Sequence, residues 1–343
     1  MLSNHGLPYV GRFACGWPRL ATTDPHGAHG SVGAVAVRLV LDSDGGVDDA
    51  AALWWACTSP DVELVAVTAV GGNVAVEQAA ANLATVLAAA DRPEVPVAMG
   101  PPDPVGPTPP LRRASAIHGH DGLGDAGIAP APFDPVAGGA PRWLTRGTAG
   151  AVVVATGPLS NLARALELDP TWPSRVGALV VMGGSARAGG NARAAAEANF
   201  AHDPIAAARV TAASWPGSPL LVGLDVTLRA TLTEAEFRLL GEGRTAAARF
   251  LAGPMAFYRG ARVESPCHDL LAVIAAVHAG VVTGPDLPLS VDTGGSAAWG
   301  ASVVDFRPGG TEGDGRWTIG LEVDIDRFRA EVRGLFGAAS GPR

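Results

Sequence analysis

The feature that most constrains this chain is a series of short, continuously apolar segments, each followed by a stretch of helix length. "VAVRLVL" (35–41), "VELVAVTAV" (62–70), "VPVAMG" (95–100), "AVVVATG" (151–157), "VGALVVMGG" (176–184) and "PLLVGLDV" (219–226) lack the alternation of a half-exposed strand. Strands that are apolar on both faces have to be covered on both faces. Helix-like stretches at 48–59, 76–90, 161–168 and 203–214 lie between them. The alternation predicts an α/β fold: an open, mostly parallel sheet flanked by helices, with a Rossmann-like core.

Beyond residue 231 the chain turns helical, over "TEAEFRLL", "TAAARFLAGPMAFYR" and "CHDLLAVIAAVHAG". Two closing strands, "SAAWGASVVDF" and "RWTIGLEVDI", are expected to pair as a hairpin across "RPGGTEGDG". No linker divides the chain, so residues 35–343 are expected to form one domain with these helices and strands added at its end. Residues 1–34 lack the apolar segment of a signal peptide and are expected to be a poorly ordered extension. The loop from 101 to 135, rich in Pro and Gly, has the length of a site-forming lid.

Composition removes several classes of function. All 25 basic residues are Arg, which excludes a P-loop lysine or a Schiff base. The net charge is -8 with no basic block, so no nucleic-acid partner is expected. No segment reaches the roughly 18 to 20 apolar residues of a membrane span. Cys15, Cys57 and Cys267 are far apart and match neither a zinc pattern nor a disulfide framework, which suits a cytoplasmic protein.

In open α/β sheets ligands bind beyond the carboxyl ends of the strands. The predicted ends carry Asp42 and Asp44, Asn73, Thr156, Met182 to Gly184, and Asp225. The sharpest cluster is "LDSDGGVDDA". Carboxylates this close repel and raise one another's pKa, unless a cation sits among them or they cap a helix in water. Asp44, Asp48 and Asp49 suit a hard, oxygen-preferring cation such as Ca²⁺ or Mg²⁺. Capping alone accounts for Asp48 and Asp49 but leaves Asp42 and Asp44 unexplained.

Three further groups are candidates. His268 and Asp269 precede an apolar helix, where a ligand and a cap are both open readings. Asn191, Glu197 and Asn199 combine amides and a carboxylate suited to the vicinal hydroxyls of a sugar. "IHGHDGLGD" holds His118, His120, Asp121 and Asp125, without the paired histidines of a helical zinc site.

"DSDGG" superficially matches the aspartyl motif of haloacid-dehalogenase-like phosphatases, but those also use a lysine that this chain lacks. A second resemblance runs much further. "DSDGGVDDAAAL" resembles the acidic signature of the inosine/uridine-preferring nucleoside hydrolase family. "VGGNV", "HGHDGLG", "ATGPLSNLA", "VVMGG", "GNARAAAEANFAHDPIAA" and "PCHDLLAV" follow in that family's order, across about residues 36 to 275.

The resemblance implies hydrolysis of the N-glycosidic bond of ribonucleosides to free base and ribose. It implies a bound Ca²⁺ held by Asp44, Asp49, Asp269 and the backbone carbonyl of Thr156, and a Ca²⁺-held water deprotonated by Asp44. Asp48, Asn73, Asn191, Glu197 and Asn199 would grip the ribose, with Asn199 also serving catalysis and Met182 beneath the sugar. His268 is the candidate acid for the leaving base, and His118 would stand at the pocket mouth. Phe257, Tyr258 and Arg259 are available either to stack a base or to pack helices. The family's habit implies a homodimer or homotetramer acting on a small-molecule ribonucleoside.

The chemistry is coherent without the analogy. A divalent ion lowers the pKa of bound water, a neighbouring carboxylate accepts its proton, and acidic groups stabilise an oxocarbenium-like sugar. Two departures from the family pattern stand out. Gly45 occupies the usual proline position, and Ala198 stands where an aromatic is common, which widens the pocket near the 5' side or the base. Action on a different N-ribosyl compound and a catalytically silent sugar-binding homologue are the alternatives. The silent reading predicts the loss of a metal ligand, and none is lost.

Overall fold

The computed structural model describes residues 35–337 apart from 109, 110, 112, 261–264, 312 and 314. The expected N-terminal extension therefore lies outside the described residues. Among the described residues eleven strands form in chain order: β1 Val37–Ser43, β2 Val62–Ala69, β3 Val97–Met99, β4 Val152–Ala155, β5 Ala178–Met182, β6 Leu220–Val222, β7 Val282–Thr283, β8 Asp286–Val291, β9 Ser302–Val304, β10 Gly315–Ile319 and β11 Glu322–Val323. The nine-stranded sheet has the order β3-β2-β1-β4-β5-β6-β10-β8-β9, and a separate ribbon pairs β7 with β11. β1 to β6 run parallel and β10 continues them, whereas β8 and β9 are antiparallel additions.

Alternate residues of the central strands enter opposite cores. Leu39, Leu41, Val154 and Val180 join one cluster, and Val40, Val153, Ala155 and Val181 the other. This two-sided burial is the physical reason for the unbroken apolar runs. Helix Val47–Thr58 is buried at every residue from Val47 to Ala56, because helices Val76–Ala89, Ala246–Gly260 and His268–Val277 enclose it against the sheet. A helix enclosed in this way has to be apolar around its whole circumference.

β1 is the switch point of the sheet. The chain builds β2 and β3 on one side of it and then crosses to β4 on the other. Loops leaving β1 and β4 diverge there and open a crevice beyond their carboxyl ends.

Three expectations change. The run 219–226 is a strand only to Val222; Gly223 breaks it, and Leu224–Thr227 is a helical turn. Asp225 in that turn accepts from the backbone N–H groups of Ala186, Arg187 and Ala188 at 2.7, 2.7 and 3.1 Å, so it fastens a neighbouring loop. The closing strands are not a hairpin: β8 lies between β9 and β10 and pairs with both. Pro285 and Pro288 disguise β8 in the sequence, since proline argues against a paired strand. The predicted strand 316–325 is also interrupted, ending at Ile319 and resuming as β11.

Candidate active site and cation centre

β1 delivers Asp44 to the crevice, and Gly45 turns the chain into helix Val47–Thr58 with φ +71°. A Cβ at Gly45 would lie 2.7 Å from the Ala79 Cα, and one at Gly46 would lie 2.7 Å from both Asn73 Nδ2 and His118 Nδ1. The second glycine leaves room for three loops to converge. The first turn of the helix then presents Asp48 and Asp49, while Asp269 arrives from the first turn of helix His268–Val277.

One carboxylate oxygen each from Asp48, Asp49 and Asp269 lies within 4.8 Å of the others, and all three side chains are buried. Asp49 is the anchor. It accepts from Ser43 Oγ at 2.6 Å, Thr156 Oγ1 at 2.8 Å and the Gly46 N–H at 2.9 Å. It therefore caps its own helix as well as entering the cluster, so the capping and ligand readings hold together. Asp44 adjoins this trio. Burial, then the charge of Asp49, hold its carboxyl well above the ordinary range, and burial, then the charge of Asp48, do the same to Asp269.

Among the described residues no arginine pairs with Asp44, Asp49 or Asp269, and His118 Nδ1 lies 3.8 Å from Asp48 Oδ1. Buried, crowded carboxylates fit a divalent ion, and an all-oxygen donor set fits Ca²⁺. Asp42 stands apart from the trio. Its Oδ1 accepts from Thr68 Oγ1 and, at 2.8 Å, from Asn161 Nδ2, tying β1 to β2 and to helix Ser160–Leu168. Burial pushes it up to about 7.

A cavity of about 440 Å³ opens over the carboxylates, lined among others by Asp48, Asn73, His118, Thr156, Met182, Glu197, Asn199, Tyr258, His268 and Asp269. This wall unites strand exits, the 101–135 loop and the C-terminal helices. A search for related sequences matches the model described as "Inosine-uridine preferring nucleoside hydrolase" over residues 39–330.

The chain belongs to the inosine-uridine preferring nucleoside hydrolase family.

Its relatives cover nearly the same length. An inosine-uridine preferring nucleoside hydrolase of Leishmania major is 32% identical over 85% of this chain and 94% of its own. A pyrimidine-specific ribonucleoside hydrolase of Salmonella enteritidis is 32% identical over 85% and 95%. The solved structure of a purine-preferring ribonucleoside hydrolase from Gardnerella vaginalis superimposes with a TM-score of 0.79, at 32% identity, over 88% of this chain and 100% of that one. This nucleoside hydrolase is thus a Ca²⁺-assisted enzyme that cleaves the N-glycosidic bond of ribonucleosides.

Within the hydrolase, most residues singled out from sequence meet at one cavity, but several are occupied in ways the sequence did not indicate. Asn73 gives its main-chain N–H and its side-chain amide to Asp44. The Asn199 amide donates to the carbonyls of Thr156 and Met182 at 3.0 and 3.1 Å, stitching the exits of β4 and β5. Glu197 caps helix Ala198–His202, accepting from the N–H groups of Asn199, Phe200 and Gly184. Burial outweighs those bonds and raises it to about 7. Asn191 Oδ1 accepts from the Ala198 N–H at 2.9 Å at the exposed rim.

His118 is a buried residue closing the short helix Ser115–His118, and its Nδ1 accepts from the Val47 N–H at 3.1 Å. It caps the acidic helix from a distant loop rather than standing exposed at the mouth. His268 Nδ1 lies 2.8 Å from Thr227 Oγ1. Of the three base-side candidates only Tyr258 lines the cavity, with its ring 5.5 Å from that of His118. Arg259 instead pairs with Glu234 and lies over Phe237.

His120, Asp121 and Asp125 fold into an exposed turn closed by hydrogen bonds among themselves and stay outside the cavity. Sequence reasoning missed Leu111, Ala114, Ile117 and His202 as lining residues. Leu111 sits in irregular chain, and Ala114 and Ile117 at and within a four-residue helix too short to leave a periodic signal. His202 had one available clue, a polar ring one turn beyond Ala198.

Proposed function

We propose that Asp48, Asp49 and Asp269, with Asp44 and the Thr156 carbonyl, hold Ca²⁺, and that Asp44 is the base that takes the proton from the attacking water. The observation that carries this reading is the buried convergence of three carboxylates within 4.8 Å at the switch point of the sheet. When bound, Ca²⁺ fixes the water and lowers its pKa. The chain supplies the rest.

Carboxylates lie where positive charge spreads over the sugar in the transition state, so they stabilise it more than the neutral substrate. Glu197, Asn199, Asn191 and Asn73 frame the ribose, and Met182 closes its underside. A deoxyribose would leave buried acceptors unpaired, at a cost of about 1 to 3 kcal/mol each. His268, oriented by Thr227, is the group that protonates or hydrogen-bonds the leaving base.

Residues 35–343 act as one catalytic domain in this reading, since strands from Val37 to Ile319 share one sheet. The working form is a homodimer or homotetramer, which sedimentation would test. A cytoplasmic setting agrees with the free Cys57 and Cys267; separately, no described helix is long and apolar enough to cross a membrane.

The deciding experiment is a panel of purine and pyrimidine ribonucleosides assayed for free ribose, with deoxynucleosides as controls. Asp44→Asn should fold and bind but lose turnover by more than about a thousandfold. Retention of kcat within about tenfold would remove the base assignment. His268→Ala should slow natural nucleosides far more than p-nitrophenyl riboside, whose leaving group needs no proton; equal losses would remove the acid role.

A further inference from the structure

Asn82 is a buried polar residue in the middle of helix Val76–Ala89, alongside the buried Ala79, Leu83 and Val86. Packing alone does not call for asparagine there, because a buried amide is costly unless it finds partners. Asn82 finds them. Its Nδ2 donates to the carbonyls of Gly45 and Asp121, each at 2.8 Å, and its Oδ1 accepts from Gln78 Nε2 at 2.9 Å. Carbonyls only accept, so the nitrogen faces them and the amide has one orientation.

The two carbonyls belong to different loops. Gly45 lies between Asp44 and the helical turn that bears Asp48 and Asp49. Asp121 belongs to the acidic turn after His118, the one that stays outside the cavity. That turn is stiffened from within. Asp125 Oδ1 accepts from the N–H groups of His120 and Asp121, and Asp121 Oδ1 from those of Leu123 and Asp125. The Gly124 N–H donates to the His118 carbonyl, and His118 Nδ1 accepts from the Val47 N–H. The chain from Gly45 to Val47 is therefore gripped at one end by Asn82 and at the other by His118, and both grips end in the same stiff turn. Gly122 lets them meet: a Cβ there would lie 2.6 Å from Asn82 Nδ2 and 2.9 Å from the Gly45 oxygen.

Gly45 needs such a grip. A glycine at φ +71° has no ring or side chain to fix it, and it gives up more freedom on ordering than any other residue. Its carbonyl and the N–H of Gly46 are the two edges of one rigid peptide plane. Asn82 holds the oxygen edge, and the hydrogen edge donates to Asp49 Oδ2 at 2.9 Å. Holding one edge aims the other.

We propose that Asn82 is a positioning residue for the cation centre, which sets the Gly45–Gly46 peptide plane and through it the carboxylate of Asp49. It supplies the stiffness that a glycine turn lacks. The inference rests on the reading of Asp44, Asp49 and Asp269 as Ca²⁺ ligands. Asn82 acts from behind the ion-holding turn and is not among the residues that line the cavity.

The test measures Ca²⁺ affinity by titration calorimetry of the chelator-stripped protein, and separately kcat and KM for inosine and uridine at saturating Ca²⁺. The variants are Asn82→Ala, Asn82→Leu, Gln78→Ala and, as a control, Thr85→Val. Thr85 lies one turn along the same helix, and its hydroxyl accepts from the Ala131 N–H at 3.0 Å, so it holds the 101–135 loop without touching the Gly45 turn. Both Asn82 variants should bind Ca²⁺ about five- to twentyfold more weakly, and lose about tenfold in kcat with KM changed by less than about threefold. Thr85→Val should melt earlier yet keep Ca²⁺ affinity and kcat within about twofold. Gln78→Ala, at a half-buried site, loosens the amide without emptying the core and should weaken Ca²⁺ binding by about two- to threefold.

Wild-type Ca²⁺ affinity in Asn82→Leu would reduce Asn82 to packing, and equal losses in Thr85→Val would make the effect one of general stability; either overturns the inference. If the Asn82 variants do not fold, unchanged affinity in Gln78→Ala overturns it. A wild type that binds no Ca²⁺ would overturn the ligand reading beneath it as well.

Discussion

Asn73 holds Asp44 from two sides, its main-chain N–H donating to Oδ2 and its side-chain amide to Oδ1, each at 2.8 Å. Asp44 is the carboxylate proposed above as the base, and Asn73 comes from the loop after β2. The pair thus fixes which way the base faces before any substrate arrives.

Asn73→Ala should therefore act on turnover more than on binding. A reduction in kcat of about ten- to a hundredfold with a smaller change in KM is expected. Steady-state kinetics on inosine and uridine would check it. A rise in KM with kcat intact would instead make Asn73 a simple sugar contact.

Removing Ca²⁺ should abolish activity and also change how stability responds to pH. Asp44 and Asp269 are raised above their ordinary range, so the metal-free native state binds protons more tightly than the unfolded chain. Its stability is then greatest at low pH and declines as pH rises from about 4 through the raised values. Ca²⁺ takes the place of those protons, and at a hundredfold excess over Kd it adds about 2.7 kcal/mol. The gap in Tm between Ca²⁺-loaded and chelated protein should widen from pH 5 to pH 8. A gap independent of pH would mean the ion binds elsewhere.

Gly45→Pro should be harmful, although proline is the residue that the related signature usually carries there. Gly45 has φ +71°, which the proline ring forbids, and the Ala79 Cα would crowd any added Cβ at 2.7 Å. A loss of at least about 2 kcal/mol in denaturant unfolding is expected, with weakened Ca²⁺ affinity. Wild-type stability in this variant would show that the loop can take the other turn at little cost.

Glu197 offers a second pH test, away from the cation. Burial raises it to about 7 from 4.5, so its contribution favours the folded state below about pH 4.5 and is lost as pH rises toward 7. Glu197→Gln carries a constant penalty from turning an amide toward backbone N–H groups. Across this window, however, it should lack the decline, which is worth on the order of 3 kcal/mol. Melting curves of the chelated proteins from pH 4.5 to 7.5 would reveal the difference in slope.

The parallel sheet was legible because two-sided burial leaves an unmistakable mark on Leu39 to Leu41 and on Val152 to Val154. The acidic centre was legible because four carboxylates crowd into eight residues. What escaped was the division of labour among polar groups. Asp42 lies in β1 and Asp44 just beyond its end, yet one knits strands together and the other faces the crevice; only their neighbours Thr68, Asn161 and Asn73 decide which. Asp48, which the resemblance gives to the sugar, lines the cavity and also places an oxygen in the tight trio. β8 was hidden by its prolines, and the role of His118 depended on Val47, 71 residues away.

The helix bearing Asp48 and Asp49 is buried along its first ten residues. Any shift in the ion-holding corner has to be transmitted straight into the tightly filled interior, where there is no slack to absorb it. The opposite bank, made of Leu111, Ala114, Ala198 and His202, rests on loops and one short helical turn. New leaving groups or altered sugars can therefore be accommodated by redrawing that bank alone, while the half of the crevice that breaks the bond stays as it is.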